Sequence, residues 1–148
     1  MNPSLTDEEA SRRLEISRVL PASPRRVFEA WLDPQALASF IRPGARVIVP
    51  TVEVDARVGG RFLILMQIGD KEFPHRGEYR QIEPYSRLSF TWHSVYSIAN
   101  SLVTIELEEI EKGQTRLRLV HVGFANDEYR GNHERGWAAI IETLTNHL

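Results

Sequence analysis

Between residues 14 and 121 the polar and apolar positions alternate with a period of two, broken only by one stretch with helical spacing. Leu14, Ile16 and Leu20 share one parity while Glu15 and Ser17 take the other, the pattern of a half-buried strand. Arg18 falls on the apolar parity. Ser23-Pro24 then opens a helix: serine caps well, and proline is tolerated at the first helical position because that N–H has no partner there. Val27, Ala30 and Trp31 follow at helical spacing. Asp33-Pro34 repeats the cap-plus-proline start, so the helix breaks and a second short one runs to about Phe40. Pro43-Gly44 ends it.

The period of two returns at Val47–Val54, and Val58-Gly59-Gly60 turns the chain. Phe62, Ile64 and Met66 share a face of the next strand. Gly77–Ile82 carries Tyr79 and stops at Glu83-Pro84. Leu88, Phe90 and Trp92 share a face, as do Val103, Ile105 and Leu107, and finally Leu117, Leu119 and His121. Short strands at hairpin spacing with no helices between them predict an antiparallel sheet. Asn126 or Asp127 caps a last helix, whose stripe is Tyr129, His133, Trp137, Ile140 or Ile141, Leu144 and Leu148. At 1.5 Å per residue that helix is roughly 30 Å long, enough to cross a sheet. The predicted fold class is α+β: a curved seven-stranded antiparallel sheet wrapped around a long C-terminal helix, with two short helices after the first strand. Residues 1–12 read as a flexible leader, in which Thr6 and Glu9 have the spacing of a capping box, and residues 13–148 as a single domain.

One helix cannot fill the concave side of seven strands. The inward-facing list is Phe62, Met66, Tyr79, Phe90, Trp92, Leu119 and Trp137. Those side chains either touch one another or line a cavity between sheet and helix; their bulk and aromaticity suit an apolar ligand. Trp92 and Trp137 are expected at that cavity, and Trp31 outside it. Arg18 needs a partner if buried, either a glutamate or a ligand carboxylate met by its two-pronged guanidinium. His121 points inward by strand parity. It is either a core histidine bonded to a backbone carbonyl or a group that orients a ligand or moves a proton. With His133 on the helix stripe, the expected ligand-binding set is Arg18, Phe62, Met66, Tyr79, Phe90, Trp92, Leu119, His121, His133 and Trp137.

Composition narrows the chemistry. The chain has 148 residues with 18 basic and 20 acidic side chains, a net charge of -2, and no arginine or lysine run. That argues against nucleic-acid binding. The absence of cysteine excludes disulfides, thiol catalysis and thiolate metal sites. The five histidines lack a zincin spacing, and no cofactor or metal is expected. Gly59-Gly60 is not a phosphate loop, and no GxSxG elbow occurs. No segment is apolar enough for membrane insertion, the start lacks a secretory signal, and a cytoplasmic location is expected.

The motifs taken together resemble a known family. They are Val27-Phe28-Glu29-Ala30-Trp31-Leu32-Asp33-Pro34, Asp55 through Phe62, Gly77-Glu78-Tyr79, Arg87 through Trp92, Thr115 through Phe124, and His133 with Gly136-Trp137. In this order they resemble the START-like, birch-pollen-allergen-like (SRPBCC) superfamily, in its bacterial branch named after the activator of the heat-shock-protein-90 ATPase. The resemblance implies the helix-grip fold. Phe40-Ile41 stands where the family usually has a tryptophan, and His93–Asn100 departs from its pattern; both are expected near a cavity mouth. Fold does not fix activity, and three functions stay open. The residues favour binding of a small, largely apolar ligand. The alternatives are a cyclase- or dehydratase-type enzyme using the same cavity, with His121 or Tyr79 as acid or base, and a chaperone-interacting protein. A homodimer is also left open.

Overall fold

The computed structural model describes residues 6–148. Its order is α1 (Asp7–Ser11), β1 (Arg13–Leu20), α2 (Pro24–Leu32), α3 (Pro34–Phe40), β2 (Ile48–Val54), β3 (Arg61–Ile68), β4 (Lys71–Glu83), β5 (Arg87–Ser94), β6 (Ser97–Glu111), β7 (Gln114–Val122) and α4 (Asp127–His147). Both predicted caps form. The Ser23 side chain accepts from the Arg26 N–H, and that of Asp33 from the Gln35 N–H, each with proline at the start of the helix. Asn126 caps α4 by accepting from the Tyr129 N–H at 2.8 Å.

The strands form one antiparallel sheet in the order β1-β7-β6-β5-β4-β3-β2. The first strand returns to pair with the last because α2 and α3 carry the chain to the far edge, from which five hairpin connections walk back. Register shifts interrupt β2/β3, β4/β5, β5/β6 and β6/β7. Such bulges bend strands and increase their twist, which lets the sheet close around α4. The α+β arrangement expected from the periodicity, and the helix-grip that the resemblance implies, are therefore present. Two strands are longer than expected: β4 begins at Lys71 rather than Gly77, and β6 begins at Ser97. Polar residues and Pro74 hid the period of two in the first case.

Of the expected flexible leader, residues 1–5 lie outside the described residues, as does the Glu9 side chain and with it the expected capping box. Asp7–Ser11 form a helical turn, and Arg12 ties it down by donating to the Phe124 and Ala125 carbonyls and pairing with Glu8 and Asp127.

The core lies between the sheet and α4. It includes Leu14, Ile16, Leu20, Val103, Ile105, Leu117 and Leu119 from the β1/β7/β6 side and Trp137, Ile140, Ile141 and Leu144 from the helix. Gly77 is needed for close packing. A Cβ there would sit 1.9 Å from the Thr91 carbonyl oxygen and 2.4 Å from the Phe62 ring. Only glycine lets that ring approach the strand so closely. On the other face, Arg118 pairs with Glu15 at 2.9 Å and Glu106 at 2.6 Å, and Glu106 also accepts from Arg87 at 2.8 Å. These part-exposed pairs knit β1, β7, β6 and β5 together across their solvent side.

Three positional expectations are corrected. Arg18 shares the strand parity of Ile16, yet it is exposed, with Nη1 donating to the Ser17 carbonyl. Its long stem carries the charge to water instead of into the core. Trp31, expected outside the cavity, joins the inward-facing aromatic side chains: it is buried 5.1 Å from Phe40 and 6.3 Å from Trp137, ring to ring. Phe40 and Ile41 are buried as well, so they belong to the core and not to a mouth.

Candidate functional cleft

The inward aromatic residues divide into two groups. Phe62, Tyr79 and Phe90 pack against one another at 5.4–6.2 Å between ring centres. The void they share with Trp31, Leu37, Ile41, Ile64 and Trp92 is about 10 Å³, room for no more than a water. This part of the expected site is filled core. Burial lifts the Tyr79 hydroxyl above the ordinary phenol range, so it stays protonated there.

Toward the other end of α4 the packing opens. A cleft of about 240 Å³ is lined by Pro43, Met66, His75, Trp92, Ser94, Tyr96, Asn132, His133, Gly136, Trp137 and Ile140. The helix side follows from its period: 133, 136, 137 and 140 are spaced three, four and seven apart and share one face. Gly136 leaves space for Pro43, whose Cβ would lie 3.3 Å from an added Cβ. The sheet side comes from Met66 on β3, His75 on β4 and Trp92 and Ser94 on β5, where the register shifts between Trp92 and Ser94. Tyr96 closes one edge, its ring 6.1 Å from Phe73 and 6.0 Å from Tyr129. Of the expected ligand set, then, Met66, Trp92, His133 and Trp137 meet at the cleft. Phe62, Tyr79, Phe90, Leu119 and His121 lie behind it, and Arg18 lies on the outside.

His121 is fully buried and every polar atom of its ring is used. Trp137 Nε1–H donates to His121 Nδ1 at 3.0 Å, so the ring proton sits on Nε2, which faces Ser101 Oγ at 3.1 Å. Ser101 in turn donates to the Trp92 carbonyl. This chain requires a neutral imidazole, and burial drives the His121 pKa well below the ordinary histidine value. His121 therefore ties β7 to α4 and β6. It is a core histidine, the first of the two expectations for it, but its partners are an indole and a hydroxyl, not a carbonyl.

Of the two histidines on the cleft wall, His133 was expected from the helix stripe, whereas His75 was not among the expected site residues. His75 Nδ1 donates to the Phe73 carbonyl at 2.9 Å, and burial pushes its pKa down to about 4. His133 Nδ1 lies 2.7 Å from the Tyr129 carbonyl one turn earlier, so Nδ1 must carry the proton and Nε2 must accept. Its partner is Ser97 Oγ at 2.8 Å. Burial also lowers the His133 pKa. Ser97 lies in the 93–100 stretch that matches no family motif, 36 residues from His133. Only the β5–β6 hairpin brings the two together. Among the described residues no group of histidine and acidic side chains could hold a metal ion.

The profile of the Activator of Hsp90 ATPase homolog 1-like protein family matches residues 21–148. The chain belongs to that family. Among solved structures it is similar to protein CV1439 from Chromobacterium violaceum, at 27% identity and a TM-score of 0.84, covering 92% of this chain and 96% of that one. It is also similar to the AHSA1 (SPO3351) protein from Silicibacter pomeroyi, at 25% identity and 0.77, covering 91% and 96%. A third likeness is to the Mll3558 protein from Rhizobium loti, at 27% and 0.75, covering 92% and 96%. No curated protein matches the chain. No helix among the described residues is long and apolar enough to cross a membrane.

Proposed function

We propose that the cleft between α4 and strands β3–β5 binds a small, largely apolar and uncharged molecule. The observation that carries this reading is the composition of its wall. Met66, Trp92, Trp137, Ile140 and Pro43 supply apolar surface, while the polar groups are two histidines, a serine, a tyrosine and an asparagine, with no carboxylate, lysine or arginine among the lining residues. Burial favours the neutral form of both histidines. A charged ligand would enter without a counter-charge, at a cost that neutral ligands avoid. The volume of about 240 Å³ lies just under the roughly 300–1,000 Å³ of drug-sized sites, which suits a molecule of one or two rings.

The test uses 1-naphthol as the neutral probe and hexanoate as the charged one. Naphthol should change the intrinsic tryptophan fluorescence and raise Tm; at a hundredfold excess over Kd the stabilisation is about 2.7 kcal/mol. Hexanoate should do neither at the same concentration. Trp92→Phe should reduce the fluorescence response, and it breaks no side-chain hydrogen bond, because the Trp92 N–H has no partner among the described residues. A panel of neutral one- and two-ring compounds that moves neither signal would sink the reading.

A further inference from the structure

Ser97, His133 and the Tyr129 carbonyl form a hydrogen-bonded line that the binding reading does not use. Tyr129 C=O fixes the His133 proton on Nδ1, which leaves Nε2 as an acceptor facing the Ser97 hydroxyl at 2.8 Å. Ser94 reinforces the direction. Its Oγ accepts from the Tyr96 N–H at 3.1 Å, and its hydroxyl points to Ser97 Oγ at 3.4 Å. Ser97 thus receives a donor from Ser94 and gives its own proton to His133. A nucleophile, a base within hydrogen-bond reach and a third group orienting that base are the parts nucleophilic catalysis needs. Ser94 and His133 both line the cleft, and Ser97, buried directly behind that wall, is hydrogen-bonded to each of them.

We propose that Ser97 is a nucleophile with His133 as its general base, and that the cleft hydrolyses small neutral carboxylic esters. The proposal rests on the reading of the cleft as a ligand site. Ser97 Oγ bonds to the ester carbonyl carbon while its proton passes to His133 Nε2. The carbonyl electron pair moves to the oxygen and then returns, breaking the bond to the alcohol oxygen, which leaves with the proton from His133. A water then attacks the acyl-Ser97, losing a proton to His133. The acyl group departs as carboxylic acid and Ser97 regains its proton. Ester and water become acid and alcohol. Asn132 stands on the same wall, and Arg135 donates to its Oδ1. Its amide N–H₂ is therefore the donor on offer to the transient oxyanion. A carbonyl behind the base supports the imidazolium less than a carboxylate does, so turnover is expected to be slow.

The experiment uses the full chain with 4-nitrophenyl acetate. A burst of nitrophenolate should accompany acetylation of the protein, mapped to Ser97 by peptide mass spectrometry. Ser97→Ala should abolish that label and lower hydrolysis by about 10²-fold or more, the range for losing acid–base assistance. The rate should follow the unprotonated form of His133, with its rising limb below pH 6.5, the ordinary histidine value from which burial lowers it. Acetyl mapped to another side chain, or hydrolysis unchanged in Ser97→Ala, overturns the proposal. Naphthol binding is measured on the same samples. Binding without acylation removes the ester reading and leaves the binding site standing; loss of both removes the site itself. Should Ser97→Ala fail to fold, Ser97→Cys decides: its thiol must take the acetyl group in place of the hydroxyl.

Discussion

Lowering the pH from 7 to 5 should destabilise this protein through its buried histidines, and His75 allows the size to be worked out. In the unfolded chain a histidine titrates near pH 6.5, whereas burial in the folded protein holds His75 at about 4. A folded pKa below the unfolded one means that the unfolded state binds the extra proton. Stability is then complete above pH 6.5 and is lost as the pH falls toward 4. At pH 5 the unfolded side chain is almost wholly protonated and the folded one about a tenth so, which amounts to a loss of about 2 kcal/mol relative to pH 7. His121 and His133 are lowered for the same reason, desolvation, and add in the same direction. Urea unfolding at the two pH values gives the total as a change in midpoint at constant m. His75→Asn isolates the one residue, since an amide can still donate to the Phe73 carbonyl but does not titrate. Its pH 7-to-5 loss should be smaller than the wild type's by about 2 kcal/mol. A difference below about 0.5 kcal/mol would mean that His75 is not held neutral by burial, and the electrostatic account of the cleft wall would fall with it.

Trp137→Phe keeps an aromatic ring against α4's neighbours but leaves the buried His121 Nδ1 without its donor. It should cost about 2–3 kcal/mol in urea unfolding, most of it for the orphaned acceptor; a cost under about 0.5 kcal/mol would show that the indole–imidazole bond does not hold the helix to the sheet. Mixing the protein with a bacterial heat-shock-90 chaperone should leave the ATPase rate unchanged within about twofold, because the residues that carry our reading face an internal cleft; a several-fold stimulation would move the function toward the chaperone role named by its family.

How much was readable before folding differs between the frame and the site. The period of two, the paired Ser-Pro and Asp-Pro starts and the α4 stripe are local signals, each imposed by backbone geometry within a few residues. They determined seven strands, their antiparallel pairing and the long closing helix. Parity also placed Phe62, Tyr79, Phe90, Trp92, Leu119 and His121 on the inside, where all are buried. Parity failed at Arg18, because a side chain with a long stem is not bound by the direction of its Cβ. It also could not say where the interior is full and where it is open. That depends on volumes contributed by separate elements: Trp31 from α2 and Ile41 after α3 fill the Phe62–Tyr79–Phe90 end, while Gly136 facing Pro43 leaves space at the other. The partners of each buried polar atom were likewise decided only in three dimensions. Trp137 and His121 lie 16 residues apart, and Ser97 and His133 lie 36 apart. No periodicity spans such distances; the hydrogen bonds form because the sheet curls until β6 and β7 meet α4, and each bond made there offsets the desolvation of its buried donor and acceptor.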